Sequence, residues 1–159
     1  MESYMFKTIL LSVALDREDS EHALLARDTA QALVKGTGAA LHVLTVHSYE
    51  APALNHLNAE EEEKYAAMFT EQTREEVESA LKDFIEPLSK AGIQVHTEIS
   101  LGNPKKVILE TLEKVAADTL VIGSHSSHNL LNVALGSTAH YLCKHAPCPV
   151  ILASPSEAT

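Results

Sequence analysis

The passage Thr119–Gly123 (TLVIG), Ser124–Leu135 (SHSSHNLLNVAL) and Gly136–Ser137–Thr138 (GST) decides how the rest of the chain is read. TLVIG is a short apolar run closed by glycine, the pattern of a buried strand. Gly136 opens a helix predicted over Ser137–His145, and Val150–Ala153 (VILA) follows Pro147 and Pro149 as a last strand. The segment between strand and helix has the parts of an anion loop. Gly123 lets the chain turn without a Cβ. Ser124, Ser126 and Ser127 bring hydroxyls, and Gly136 leaves room for a phosphate at the helix start. Ser137 and Thr138 add hydroxyl and N–H donors there. The same residues also compose an ordinary serine-rich turn before a capped helix. The apolar piece Leu130–Leu135 favours the first reading, because a simple solvated loop would not carry Leu130, Leu131, Val133 and Leu135.

Working outward, strands and helices alternate. Thr8–Leu15 (TILLSVAL) reads as a strand buried on both faces, and Asp16–Ser20 is a polar break. Ser20 caps a helix over Glu21–Lys35 with Ala23, Leu24, Ala30 and Leu33 on its apolar face, stopped by Gly36 and Gly38. Ala40–Val46 is a second strand and His47–Asn58 a loop. Ala59–Lys90 reads as one long helix, its acidic run Glu60–Glu63 placed where the helix dipole favours negative charge. Pro87 should kink or end it. A third strand covers Gln94–Ser100, and Asn103 caps a helix over Lys105–Ala117, with Pro104 at its first position. Val107, Ile108, Leu112 and Val115 should face inward. The β-α-β-α-β-α-β-α-β order predicts an α/β fold: a parallel, doubly wound sheet with helices on both faces, in one domain spanning residues 1–159. In such a sheet the ligand lies beyond the carboxyl ends of the strands. The polar positions to inspect are therefore Asp16, His47, Gly102 and the run from Gly123 to Asn129.

Composition narrows the function classes. The chain has 159 residues, a formal net charge of -10, 45% hydrophobic residues and no Trp. An acidic surface repels nucleic acid and anionic lipid, so neither is expected as a partner. The sequence opens without a basic, apolar leader and holds no apolar run of about 18 residues, which points to the cytoplasm. Cys143 and Cys148 have no framework for a disulfide and no matched histidine spacing for zinc. Nine histidines occur, at 22, 42, 47, 56, 96, 125, 128, 140 and 145, with no H-E-x-x-H pattern. No metal site is expected from them. No Gly-x-Ser-x-Gly elbow is present, and no Lys or Arg lies between Gly123 and Tyr141 to serve as a P-loop cation. No catalytic residue can be nominated. A ligand held by neutral donors suits binding and sensing, with slow ATP hydrolysis as the most turnover to expect.

The same passage resembles the universal stress protein family. Its members carry, after the fourth strand, Gly, two residues, Gly, nine residues, then Gly with Ser or Thr. Here that text reads Gly123, Ser124–His125, Ser126, nine residues from Ser127 to Leu135, then Gly136–Ser137. GSH at 123–125, LGS at 135–137, HAPCPV at 145–150, ILLSV at 9–13, LHVLTV at 41–46 and GNP at 102–104 extend the resemblance over nearly the whole chain. The resemblance implies a Rossmann-like, three-layer fold with a five-stranded parallel sheet in the order 3-2-1-4-5. It also implies a homodimer formed through the last strand, here Val150, Ile151 and Leu152. Those residues also present an edge that pairing would cover. It implies ATP or AMP, with Mg2+, as a regulatory ligand in a stress response, and a protein partner that responds to it. The implied nucleotide-binding positions are Asp16, Val46, Ile122, Gly123, His125, Ser126, Gly136, Ser137 and Thr138. Val46 and Ile122 match apolar residues near the base, and His125 shapes the loop or approaches a phosphate.

Two departures stand out. The second glycine of the pattern is Ser126, which costs about 1 kcal/mol or more if the position needs a positive φ. ATP-binding members also carry an Asp at the end of the first strand. The matching position is Ala14 counted from the strand and Leu15 counted from the helix, so Asp16 can replace it only with an insertion. The phosphate half of the implied site is better preserved than the nucleoside half. A dimeric scaffold that ignores nucleotide is the rival reading.

Overall fold

The computed structural model describes residues 6–15, 20–47, 58–67, 71–124 and 136–155. Its strands are β1 (Thr8–Val13), β2 (Ala40–His47), β3 (Val95–Leu101), β4 (Thr119–Gly123) and β5 (Val150–Ala153). Its helices are α1 (Ser20–Thr37), α2 (Ala59–Ala67), α3 (Glu71–Lys90), α4 (Pro104–Lys114) and α5 (Ser137–His145). The strands form one sheet in the order β3-β2-β1-β4-β5, and every pairing is parallel. This is the order and the layering expected of the Rossmann-like fold.

Successive residues of a strand face opposite sides, so a strand buried on both faces feeds two cores. In β1, Ile9 and Leu11 point to one side and Leu10 to the other, and all three are fully buried. On the first side Ile9, Leu11, Val13, Leu41, Val43 and Val121 pack with Leu81, Phe84 and Leu88 of α3 and with α1. On the second, Leu10, Leu44, Leu120 and Ile122 pack with Ile108 and Leu112 of α4 and Ala139 and Leu142 of α5. Each fully buried Leu or Ile contributes about 1.5–3 kcal/mol.

The inner stripe of α1 is Ala23, Ala26, Ala30 and Val34. Leu24, expected inside, is 42% exposed, and Leu33 is only partly buried. The alanines bring the helix axis close to the sheet, and the stripe they define turns Leu24 away from it. Arg27 ties α1 to α3: its guanidinium donates to the Phe84 carbonyl at 3.1 Å and lies 5.3 Å over the Phe84 ring.

Several boundaries differ from expectation. β1 ends at Val13 rather than Leu15. β2 and β3 each extend one residue further, to His47 and Leu101, because those two residues pair with each other in the ladder. Gly36 stays inside α1, and Gly38, with φ 71, ends it by donating to the Val34 carbonyl at 2.8 Å. Ala59–Lys90 gives two helices, α2 and α3, with residues 68–70 outside the described set. Glu61 does more at the start of α2 than complement a dipole. Its carboxylate accepts the Asn58 N–H at 3.0 Å while the Asn58 side chain accepts the Glu61 N–H at 2.9 Å, a capping box. Pro87 does not end α3, which continues to Lys90. It removes only its own N–H near the last turn of an exposed helix face, where water can serve the freed carbonyl. α4 stops at Lys114, three residues early, in a turn discussed below. Its expected start holds: the Asn103 side chain accepts the Lys105 N–H at 3.0 Å, ahead of Pro104.

Candidate functional site at the carboxyl ends of the central strands

β1 lies between β2 and β4, and the chain leaves β1 and β4 on opposite sides of the sheet. In doubly wound sheets ligands bind beyond the carboxyl ends at such a point of divergence. The first turns of α1 and α5 point into the same region, since both helices follow strands that end there. Gly123 is the last residue of β4, and Ser124 continues it by donating its N–H to the Ala153 carbonyl of β5 at 3.0 Å. The Ser124 carbonyl then accepts the Gly136 N–H at 2.9 Å. One backbone bond thus sets the start of α5 beside the end of β4.

The α5 start has the features of an anion-accepting turn. Gly136 is its N-cap, no side chain caps it, and the helix ladder begins with the His140 N–H on the Gly136 carbonyl at 2.9 Å. Gly136 has φ -55, a conformation open to any residue, so backbone geometry does not demand glycine there. In the first turn that follows, Ser137 is exposed and Thr138 half-buried.

Gly123 matters for a different reason than a sharp turn. A Cβ at this position would lie 3.0 Å from the Cβ of His22, in the first turn of α1. The glycine allows α1 to press against the end of β4. The His22 ring reaches past it, with Nδ1 3.5 Å from the Ser124 hydroxyl. His22 carries no local motif. Only the rule that the helix after the first strand begins beside the carboxyl ends could have singled it out.

A cation also arrives from outside the loop. Lys105, in the first turn of α4, holds its ammonium 5.5 Å over the Tyr141 ring, which packs 4.2 Å from the His145 ring. Tyr141 stands one helical turn below Ser137 and Thr138 on α5, so Lys105 lies on the flank that carries those hydroxyls. Local inspection of residues 123–141 could not find it.

Val46 and Ile122 both pack into the core under α4 and α5 near the carboxyl ends, Ile122 buried and Val46 partly so. Asp16, His125 and Ser126 lie outside the described residues. Among the described residues no group of three His, Cys, Asp or Glu side chains could hold a metal ion, and no helix is long and apolar enough to cross a membrane. Cys143 and Cys148 are both free thiols. Burial, and then the nearby Asp118 carboxylate, push the Cys148 thiol up from its ordinary range.

Comparison with known proteins agrees with this architecture. The model of the universal stress protein family matches residues 5–154. A universal stress protein encoded 3′ of a sulfhydrylase gene in Thermus aquaticus is 32% identical over 149 residues, covering 93% of this chain and 98% of that one. The structure of universal stress protein UspA from Lactobacillus plantarum superposes with a TM-score of 0.60 at 28% identity, covering 95% of this chain and 99% of that one. A universal stress protein crystallised in complex with cAMP superposes with a TM-score of 0.67 at 16% identity, covering 96% and 99%. With the family pattern matched over almost its full length and the expected sheet order in place, the chain belongs to the universal stress protein family.

Proposed function

We propose that this chain binds an adenine nucleotide, ATP or AMP, as a regulatory ligand in a stress response. The phosphates would sit on the loop from Gly123 to Ser137. The observation that carries this reading is one backbone bond: the Gly136 N–H on the Ser124 carbonyl sets an uncapped, glycine-led helix start against the end of β4. The first-turn N–H groups of α5, the Ser137 and Thr138 hydroxyls and the α5 dipole would meet the phosphates, and His125 and Ser126 would line the loop. Lys105 would offset part of the acidic field of the chain. Val46 and Ile122 would form the apolar floor toward the base, and Asp16 would stand at the ribose. Mg2+ would be carried by the nucleotide's own phosphates. The cAMP complex of a structural neighbour supports an adenine nucleotide as the ligand class.

Among the described residues the site offers hydroxyls, amides and the Lys105 ammonium on its flank, and none of them is a general base poised on an attacking water. It therefore supports occupancy as a signal rather than rapid turnover. A change in occupancy would be read by a protein partner in the cytoplasm, with two copies of the chain joined through β5. Calorimetric titration with ATP and AMP, with and without Mg2+, tests the reading. Saturable heat and a rise in melting temperature are expected. No heat and no thermal shift at millimolar nucleotide would overturn it in favour of a nucleotide-independent scaffold, the reading that Ser126 favours.

A further inference from the structure

A backbone bond joins the end of β4 to the start of α5, but that bond does not reach α1. Three observations converge on one side chain. Gly123 lacks the Cβ that would lie 3.0 Å from the His22 Cβ, so α1 packs tightly over the end of β4. The His22 Nδ1 lies 3.5 Å from the Ser124 hydroxyl, and Ser124 is only 9% exposed. The peptide of that same Ser124 joins β5 through its N–H and Gly136 through its carbonyl. Ser124 is thus the junction of β4, β5 and the α5 start, and His22 is the α1 side chain that reaches it.

We propose that His22 is a positioning residue for the junction of β4 with the start of α5. Its imidazole holds the Ser124 side chain, so that the first turn of α1, the end of β4 and the start of α5 keep one fixed arrangement before any ligand arrives. A prearranged helix start loses less freedom on binding, and the gain appears as affinity. This role extends the nucleotide reading above and rests on it for its consequence in binding, whereas its consequence for the free protein does not depend on any ligand.

The test uses the full chain and four variants, His22→Leu, His22→Asn, Ser124→Ala and the double variant His22→Leu with Ser124→Ala. Asn keeps a polar atom near the place of Nδ1, whereas Leu keeps bulk alone. In the free protein, exchange of the Gly136 amide, measured by NMR, should quicken about tenfold in His22→Leu and return close to the wild-type rate in His22→Asn. Amides of Leu120 and Leu142 serve as controls for global stability and should not change. With a fluorescent ATP analogue, His22→Leu and Ser124→Ala should each weaken binding about tenfold, and the double variant no more than either alone. Unchanged Gly136 exchange in His22→Leu overturns the positioning role. Equal losses in the Leu and Asn variants also overturn it, because bulk packing would then explain the effect. A wild-type chain that does not bind the analogue overturns the nucleotide reading, and the exchange result then decides the role of His22 by itself.

Discussion

Ala116 stands with φ 52, a left-handed conformation rare outside glycine. It ends α4. Its N–H donates to the Glu113 carbonyl at 3.1 Å, and the Ala117 N–H donates to the Leu112 carbonyl at 3.0 Å. Those two bonds are the pair that closes a Schellman turn. The same turn ends α3, where Gly92 has φ 80 and the bonds run from Gly92 to Ser89 and from Ile93 to Leu88. Glycine fills the left-handed position at one helix end and alanine at the other. The Cβ of Ala116 costs about 1 kcal/mol in that conformation. Ala116→Gly should therefore stabilise the chain by up to about 0.5 kcal/mol after the entropy of the added glycine is deducted. Urea denaturation, with an unchanged slope and a higher midpoint, checks it. Reading the sequence carried α4 on to Ala117 because alanine is a helix former and nothing local marks it as a stop. The bonds back to Glu113 and Leu112 decide otherwise.

At the scale of an element, β3 is the edge strand next to β2, and one of its faces carries polar residues. His42 of β2 pairs with His96 of β3, their rings stacked with centroids 4.8 Å apart. Glu98 stands one pleat further on and accepts from the Lys114 ammonium of α4 at 3.0 and 3.1 Å. Burial lowers the pKa of His42 from its ordinary value, with His96 acting in the same direction, Glu98 opposing and Lys114 adding to the fall. A histidine whose folded value is depressed contributes stability above its unfolded pKa and loses that contribution as pH falls. Stability should accordingly decline below about pH 6.5, the ordinary histidine value, and keep declining until the folded group is also protonated. Urea midpoints measured between pH 7.5 and pH 5 should show the fall. His42→Thr, a strand-forming replacement without a charge to gain, should make it shallower. An identical fall in that variant would assign the effect elsewhere.

For the whole molecule, the open edge of the sheet at β5 is the feature that bears on assembly. The carbonyls of Pro149 and Ala153 accept the N–H groups of Leu120 and Ser124, so alternate peptides of β5 face β4. Those of Val150 and Leu152 face away from it, and among the described residues no further strand pairs with them. Val150, Ile151 and Leu152 are only half-buried. Two copies joined along this edge would cover both strands, and a lysine placed there opposes such pairing. Light scattering should give twice the chain mass for the natural protein and the single mass for Val150→Lys, with the circular dichroism of both alike. A single mass for the natural protein would overturn the dimer. The sequence by itself determined the alternating α/β order, the exact spans of β4, β5 and α5, and the Asn103 cap. Each of these is written in neighbouring residues as apolar runs, glycines, prolines and capping side chains. It also held the family pattern that implied the sheet order. Only the tertiary structure decided which side chain crowds Gly123, that Lys105 stands beside α5, and which apolar residues of α1 face inward. Those depend on contacts such as His22 with Ser124, 102 positions apart, and no local pattern encodes a distance across the fold.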